Sequence, residues 1–184
     1  MSFEEFNWDS KAQCVSWLFE GILISSKYQD AYLASVDIVN QHVIVEAGKN
    51  YSQDQVYFLT TSGEQIFKLD KINNIVLWKL QNQSVELSCN NILNGKFYVQ
   101  HRICIVISIE NDSEVLKGFA LDGTLLFINH PPKGFKLIYL STYNGQPSVV
   151  CDADEVNSDQ FGRNRWHLII NKITGALVKA DLAY

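Results

Sequence analysis

The chain has 184 residues, of which 47% are hydrophobic and 12% aromatic, and its formal net charge is −5. This length and composition predict a single domain, 1–184, with a substantial core, and they exclude a disordered chain. The acidic charge balance shows no basic stripe, which excludes a general nucleic-acid binder. No segment approaches the roughly 20 apolar residues that span a bilayer. The start of the chain is acidic and polar, unlike a signal peptide, so we expect a cytoplasmic protein with no membrane partner.

The first predicted element is a short N-terminal helix at about residues 10–20. Asp9 or Ser10 can cap its start and Gly21 can end it. At helical spacing, one apolar face would be formed by Ala12, Val15, Leu18 and Phe19. A strand through Val15–Ile24 is the competing interpretation, because this stretch is also rich in β-branched and aromatic residues.

After Ser26, short apolar runs rich in Val, Ile, Tyr and Phe alternate with polar turns. This pattern is typical of strands in a mainly antiparallel, all-β protein. The chain's prolines fall at strand edges or turns, where a missing N–H does no harm: Pro131, Pro132 and Pro147. Asn94-Gly95 is predicted to turn an extra hairpin within an insertion.

A degenerate repeat of four strands is visible along the chain. Residues 31–47 and 137–153 both contain an aromatic-bearing strand, an Asn-containing turn and a Val-rich strand that ends in an acid and Ala. A glycine is predicted to supply the positive φ of a later hairpin turn in each copy: Gly63, Gly123 and Gly175. The predicted division is an N-terminal segment, 1–26, followed by repeat units 27–70, 71–130 and 131–184.

Four-stranded units in series indicate a propeller-like arrangement, and a β-sandwich is the alternative. The segment LIINKITGALV resembles the strand–turn–strand of pyrroloquinoline-quinone-type propeller repeats, where Asp or Asn followed by Thr-Gly marks the outer hairpin. The resemblance implies blade-like hairpins over about a dozen residues per copy. The Trp that usually follows such a turn is replaced here by Phe67, Phe127 and Val178.

Motifs for catalysis, metals and cofactors are absent from the sequence. The histidines at 42, 101, 130 and 167 are isolated, and no phosphate-binding or nucleophile motif occurs. The four cysteines lack CxxC spacing, so we expect reduced, mostly buried thiols. We therefore predict no catalytic site, no metal and no cofactor. A hydrolase or lyase on a propeller-like scaffold is an alternative, with His167, Asp152 and Arg165 as its candidate residues.

Candidate partner-binding residues lie in the polar loops that follow the second strand of each copy, because loops on a rigid β scaffold commonly carry recognition. These loops are all acidic and would form a rim at one end of the repeats. The first holds Glu46, Tyr51 and Asp54. The middle one holds Glu110, Asp112 and Glu114. The last holds Asp152, Asp154, Glu155, Asp159, Arg163, Arg165 and Trp166.

The function that we expect is binding of a basic protein partner, because an acidic surface steers such a partner by electrostatic attraction. In its general character, a small, acidic, motif-free β protein, the chain resembles bacterial immunity proteins that neutralise a cognate toxin. A carbohydrate- or small-ligand-binding domain is the alternative, in which Trp8, Trp17, Trp78 and Trp166 could stack on sugars. The sequence carries no indication of oligomeric state.

Overall fold

The computed structural model describes residues 3–80 and 83–183. The chain forms two compact units, Met1–Glu86 and Leu87–Tyr184. Within the described residues, antiparallel strands form four open sheets, two beginning in each unit. The prediction of an all-β, mainly antiparallel protein is therefore confirmed.

The predicted N-terminal helix is wrong, because a three-stranded sheet occupies that part of the chain. Its strands are β1 (Glu4–Asp9), β2 (Cys14–Phe19) and β3 (Ile22–Lys27). Asp9 does cap backbone N–H groups, accepting from Lys11 and Ala12 at 2.9 Å each, but it closes the β1–β2 turn. Glu20 and Gly21 have φ of 52° and 76° and turn β2 into β3. Period-2 burial of Val15 and Trp17, both fully buried, decided in favour of the strand.

The second sheet of the first unit has six strands in sequence order. They are β4 (Ala31–Asp37), β5 (His42–Ala47), β6 (Gln55–Thr60), β7 (Gln65–Asp70), β8 (Ile75–Leu80) and β9 (Gln83–Ser88). β7 pairs with β8 through Asp70 and Ile75, so one sheet continues past position 70, where the sequence separates two repeat units. Its core is shared with the three-stranded sheet, through Trp17, Val43 and Val45 among others.

The second unit contains two four-stranded sheets. One is formed by β10 (Ile92–Tyr98), β11 (Ile103–Glu110), β12 (Ser113–Ala120) and β13 (Leu125–Asn129). The other is formed by β14 (Phe135–Tyr143), β15 (Gln146–Ala153), β16 (Arg165–Ile170) and β17 (Leu177–Leu182). Side chains of both sheets meet in one apolar core, including Ile105, Leu140 and Leu168. The hydroxyl of Tyr98 on β10 crosses to β14 and donates to the carbonyl of Ser141 at 2.7 Å.

The predicted hairpin turn at Asn94-Gly95 is wrong, because both residues lie inside β10 and pair with Ile107 and Val106. The register shifts between Ile92 and Asn94, so the ladder is irregular just before this pair and regular through it.

The three predicted turn glycines are confirmed. Gly63, Gly123 and Gly175 have φ of 85°, 88° and 70° and lie between β6 and β7, β12 and β13, and β16 and β17. Each glycine N–H donates back across its turn, to the carbonyls of Thr60, Ala120 and Asn171. The wider claims, a repeat with a propeller-like arrangement, stay predictions.

The remaining regular segments are short 3-10 turns at Lys49–Tyr51, Val99–His101 and Glu155–Asn157. None of the helical segments in the described ranges has the length and apolar character that crossing a membrane would require. The four cysteines are free thiols, and Cys89, Cys104 and Cys151 are buried, which agrees with the expected state of the thiols.

Candidate functional site

The first predicted loop, residues 48–54, connects β5 to β6 and is tied down at both ends. The N–H of Gly48 donates to the carbonyl of Asp30 at 2.9 Å, and the N–H of Lys71 donates to the carbonyl of Asp54 at 2.9 Å. A Cβ on Gly48 would lie 2.6 Å from the Ser52 hydroxyl and 2.8 Å from the Asp54 nitrogen. Only glycine fits this close approach, which sets the path of the loop.

Two of the predicted residues near this loop contact one tyrosine. The Tyr32 hydroxyl donates to Glu46 Oε2 at 2.9 Å, and the Tyr32 ring meets the Tyr51 ring edge-on, with centroids 5.3 Å apart. Burial, and then the bond to Glu46, raises the pKa of Tyr32. Tyr51 itself is 78% exposed.

Burial lowers the pKa of Lys71, and the nearby carboxylates of Asp54 and Glu46 oppose that shift. The negative charge at this loop is therefore partly balanced by a lysine.

The middle predicted residues lie around the β11–β12 turn, and two of them are engaged by neighbouring groups. Glu110 forms an ion pair with Lys117 on β12. Glu114 Oε2 accepts a hydrogen bond from the N–H of Leu137 on β14 at 2.7 Å. Asp112 is exposed in the turn itself, with φ of 59°. The sequence does not reveal that Glu110 and Glu114 are engaged, because Lys117 and the N–H of Leu137 lie on other strands.

The third predicted loop comprises residues 154–164 between β15 and β16. Most carboxylates in and beside this loop are bonded to groups of the same segment. Asp152, just before the loop, pairs with Arg165 just after it, with Nε 2.8 Å from Oδ1. Asp159 accepts hydrogen bonds from both the backbone and the guanidinium of Arg163, at 2.8 and 2.7 Å. Asp154 Oδ1 accepts from the backbone N–H of Asn157 at 3.0 Å. Arginines pair with Asp152 and Asp159, so the loop presents less unpaired charge than the sequence predicts.

The exposed part of the third loop is mixed, and it includes two apolar side chains among polar ones. Val156 is 90% exposed and Phe161 is 74% exposed, and the guanidinium of Arg163 lies 5.3 Å above the Phe161 ring. Glu155 and Asp154 are exposed acids of the same loop. Trp166 is half-buried, and the ammonium of Lys179 lies 3.5 Å from its ring centroid. Trp166 therefore lies at the base of the loop, and Val156 and Phe161 are the large apolar side chains that the loop exposes.

Val156 and Phe161 are not among the site residues predicted from the sequence, although one signal points to their exposure. Each is a lone apolar residue within a polar run, DEVNS and DQFGR. Isolated apolar residues in a loop have no strand period to place them inward, so exposure is their ordinary outcome. The predicted acidic rim joins loops of both units, and it stays a prediction.

Several residues of the enzyme and sugar-binding alternatives are in contact with other side chains or buried. Arg165 already engages Asp152, and the His167 ring lies 5.1 Å from the Tyr143 ring. Trp17 and Trp78 are fully buried and cannot stack on a ligand. Among residues 3–80 and 83–183, no group of three or more His, Cys, Asp or Glu side chains is placed to hold a metal ion.

Comparisons with known proteins add little to this geometry. No protein-family model matches the chain, and no curated protein matches it. One similar solved structure is a functionally unknown protein from Desulfotomaculum acetoxidans DSM 771, with 9% identity, a TM-score of 0.41, and coverage of 94% of this chain and 48% of that one. Another is a eukaryotic initiation factor, with 10% identity, a TM-score of 0.42, and coverage of 99% and 54%. The chain spans about half the length of these structures, and similarity at this level carries no functional argument.

Proposed function

We propose that the protein is a non-enzymatic module that binds another protein, with the third loop as its contact surface. The observation that carries this proposal is the exposure of Val156 (90%) and Phe161 (74%) on a loop where Asp154 and Asp159 are already engaged within the chain. Aromatic residues and arginine are enriched at the hot spots of protein–protein interfaces. The contact would bury these apolar groups and leave the ion pairs at its edge.

The loop is held in one shape before any partner arrives. Backbone hydrogen bonds join Asp159 N–H to Arg163 O at 2.9 Å and Gly162 N–H to Asp159 O at 3.0 Å. The ammonium of Lys179 on β17 donates to the Asn157 carbonyl at 3.0 Å. A fixed loop loses little conformational entropy on binding, so more of the contact energy appears as affinity.

The net charge of −5 favours a basic partner, which the acidic protein would attract at long range. An immunity protein that neutralises a basic toxin domain is the most concrete form of the proposal. The free thiols support a cytoplasmic setting, where cysteines stay reduced. The repeated sheets, which we interpret as propeller-like units, would serve as the rigid support of the loops.

The test is capture of partners from the native cell with the tagged full chain and with Phe161→Ala. The control is Ile173→Ala, because Ile173 is also exposed (72%) but lies in the β16–β17 turn. Loss of a hot-spot aromatic costs about 2 kcal/mol or more, so we expect affinity to fall roughly thirtyfold for Phe161→Ala and to stay unchanged for the control. Equal capture of every partner by wild type and Phe161→Ala would overturn the proposal.

The charge component is tested separately with Glu155→Lys. Glu155 is the clean choice, because reversal at Asp152 or Asp154 would break contacts that hold the loop. Against a captured basic partner, we expect slower association for Glu155→Lys and a weaker dependence of the rate on salt. An unchanged association rate would remove the basic-partner component and leave the apolar contact standing.

A further inference from the structure

We propose a second binding site, for a neutral saccharide, at the end of the first unit where its connections converge. Two adjoining cavities of about 310 and 460 Å³ open there. They share Asp30, Gly48 and Lys49, so the 48–54 loop lies between them. Their volumes fall within the roughly 300–1,000 Å³ of small-ligand pockets.

An aromatic wall borders the larger cavity. Tyr51 and Tyr32 both line it, and Tyr51 is 78% exposed. Tyr32 holds Tyr51 edge-on, and Tyr32 is itself held through its bond to Glu46. A tyrosine ring that is exposed yet supported offers a flat apolar face, which matches the C–H face of a sugar ring.

The residues that line both cavities include hydrogen-bond donors and acceptors. Asp30 and Lys49 line both cavities, Gln29 lines the smaller one, and Gln13 and Asn50 line the larger one. A sugar hydroxyl is at once a donor and an acceptor, so it can pair with each of these groups. Such a mixture suits a polyhydroxylated ligand better than a single ion.

The charge near the site also favours a neutral ligand. Asp54 lines the smaller cavity, but the half-buried ammonium of Lys71 lies close enough to interact with it. Lys49 and Asp30, which carry opposite formal charges, both line the shared part of the two cavities. A lysine or arginine side chain would be repelled by Lys49, which lines both cavities, whereas an uncharged ligand meets no such repulsion.

The experiment first exposes the labelled full chain to an array of neutral and sulfated glycans. Methyl glycosides of glucose, galactose, mannose and N-acetylglucosamine are then titrated at millimolar concentration, with binding followed by NMR chemical-shift changes. We expect weak binding of a neutral glycoside, with shifts centred on Asp30 and residues 48–54. No bound glycan on the array and no shift in the titrations would overturn the proposal.

Variants separate a sugar site from a structural effect. Tyr51→Ala should weaken binding of the responding glycoside roughly two- to tenfold, because the stacking face is lost, while Tyr51→Phe should retain it. Asp30→Asn should also weaken binding, and its fold should persist because Asn tolerates the φ of 57° at this position. Glu20→Gln, in the β2–β3 turn, is the control and should bind as wild type.

A cationic probe, N-acetylarginine amide, tests the alternative occupant. Binding of this probe that Asp30→Asn abolishes, without binding of any glycoside, would make the site a cation pocket and overturn the saccharide proposal. The residues of this site lie in the first unit and Phe161 lies in the second, so separate variants test the two proposals. Failure of one proposal therefore does not decide the other.

Discussion

Arg165 and Asp152 form a two-point ion pair across neighbouring strands. Nε of Arg165 lies 2.8 Å from Oδ1 of Asp152, and Nη2 lies 3.3 Å from Oδ2. The two residues are directly opposite in the β15–β16 register, at the base of the third loop. Two charged residues that the sequence predicts to bind a partner thus pair with each other and close the loop.

This ion pair should contribute modestly to stability. The side chains of Arg165 and Asp152 are 51% and 35% exposed, so water screens their attraction. In a double-mutant cycle with Asp152→Asn and Arg165→Gln, we expect a coupling below about 1 kcal/mol by chemical denaturation, and less at high salt. A coupling of about 2 kcal/mol or more would contradict the exposed environment.

Asp70 should make the protein sensitive to acid. It is 1% exposed, and its burial by itself raises the pKa. Hydrogen bonds from Asn73 and the ion pair with Lys68 outweigh burial and lower the pKa to about 2 from 3.8. A pKa lowered in the folded state stabilises the fold above the unfolded value, near pH 4, and this stabilisation is lost as the pH falls toward 2.

The measurement is the free energy of unfolding between pH 7 and pH 2 for wild type and Asp70→Asn. We expect the variant to lose about 2 kcal/mol at pH 7 and to show a flatter decline below pH 4. Asp112→Asn, at an exposed turn, is the control and should follow wild type. The same acid slope in Asp70→Asn as in wild type would rule out Asp70 as the responsible group.

The hydroxyl of Tyr98 should stabilise the packing of the two sheets in the second unit. It lies within 2.7 Å of the Ser141 carbonyl and 3.2 Å of the Ser148 carbonyl, and Tyr98 is 5% exposed. Tyr98→Phe keeps the ring but removes the donor to these carbonyls, so we expect a loss of about 1–2 kcal/mol in thermal or chemical unfolding. Tyr139→Phe, at a residue 38% exposed, should change stability little, and an equal effect of both variants would contradict the prediction.

Two glycines with similar backbone conformations should respond differently to alanine. Gly175 and Gly145 have φ of +70° and +75°, so both substitutions carry the cost of a left-handed residue, about 1–2 kcal/mol. A Cβ on Gly175 would lie 2.3 Å from the Phe127 ring, whereas a Cβ on Gly145 would meet nothing within 4 Å. Gly175→Ala should therefore destabilise by about 1–3 kcal/mol more than Gly145→Ala, measured by chemical denaturation. Equal losses would show that Phe127 moves aside freely.

The amino-acid sequence determined the elements whose causes are local. Alternating β-branched and aromatic residues specify strands, and Gly63, Gly123 and Gly175 supply the positive φ that their turns need. Val15 and Trp17 fit both a helix face and a strand face, so their local pattern was ambiguous and packing in the core decided.

Only the tertiary structure decided which side chains remain available for a partner. Asp152, Asp159 and Glu114 are acidic in any fold, but their neighbours Arg165, Arg163 and Leu137 engage them here. Asp152 and Glu114 reach groups 13 and 23 positions away, and Arg163 meets Asp159 only through the bend of the loop. Burial likewise removed Trp17 and Trp78 from the surface and left Phe161 exposed. Charge and hydrophobicity are properties of a residue, whereas compensation and exposure depend on what the fold brings next to it.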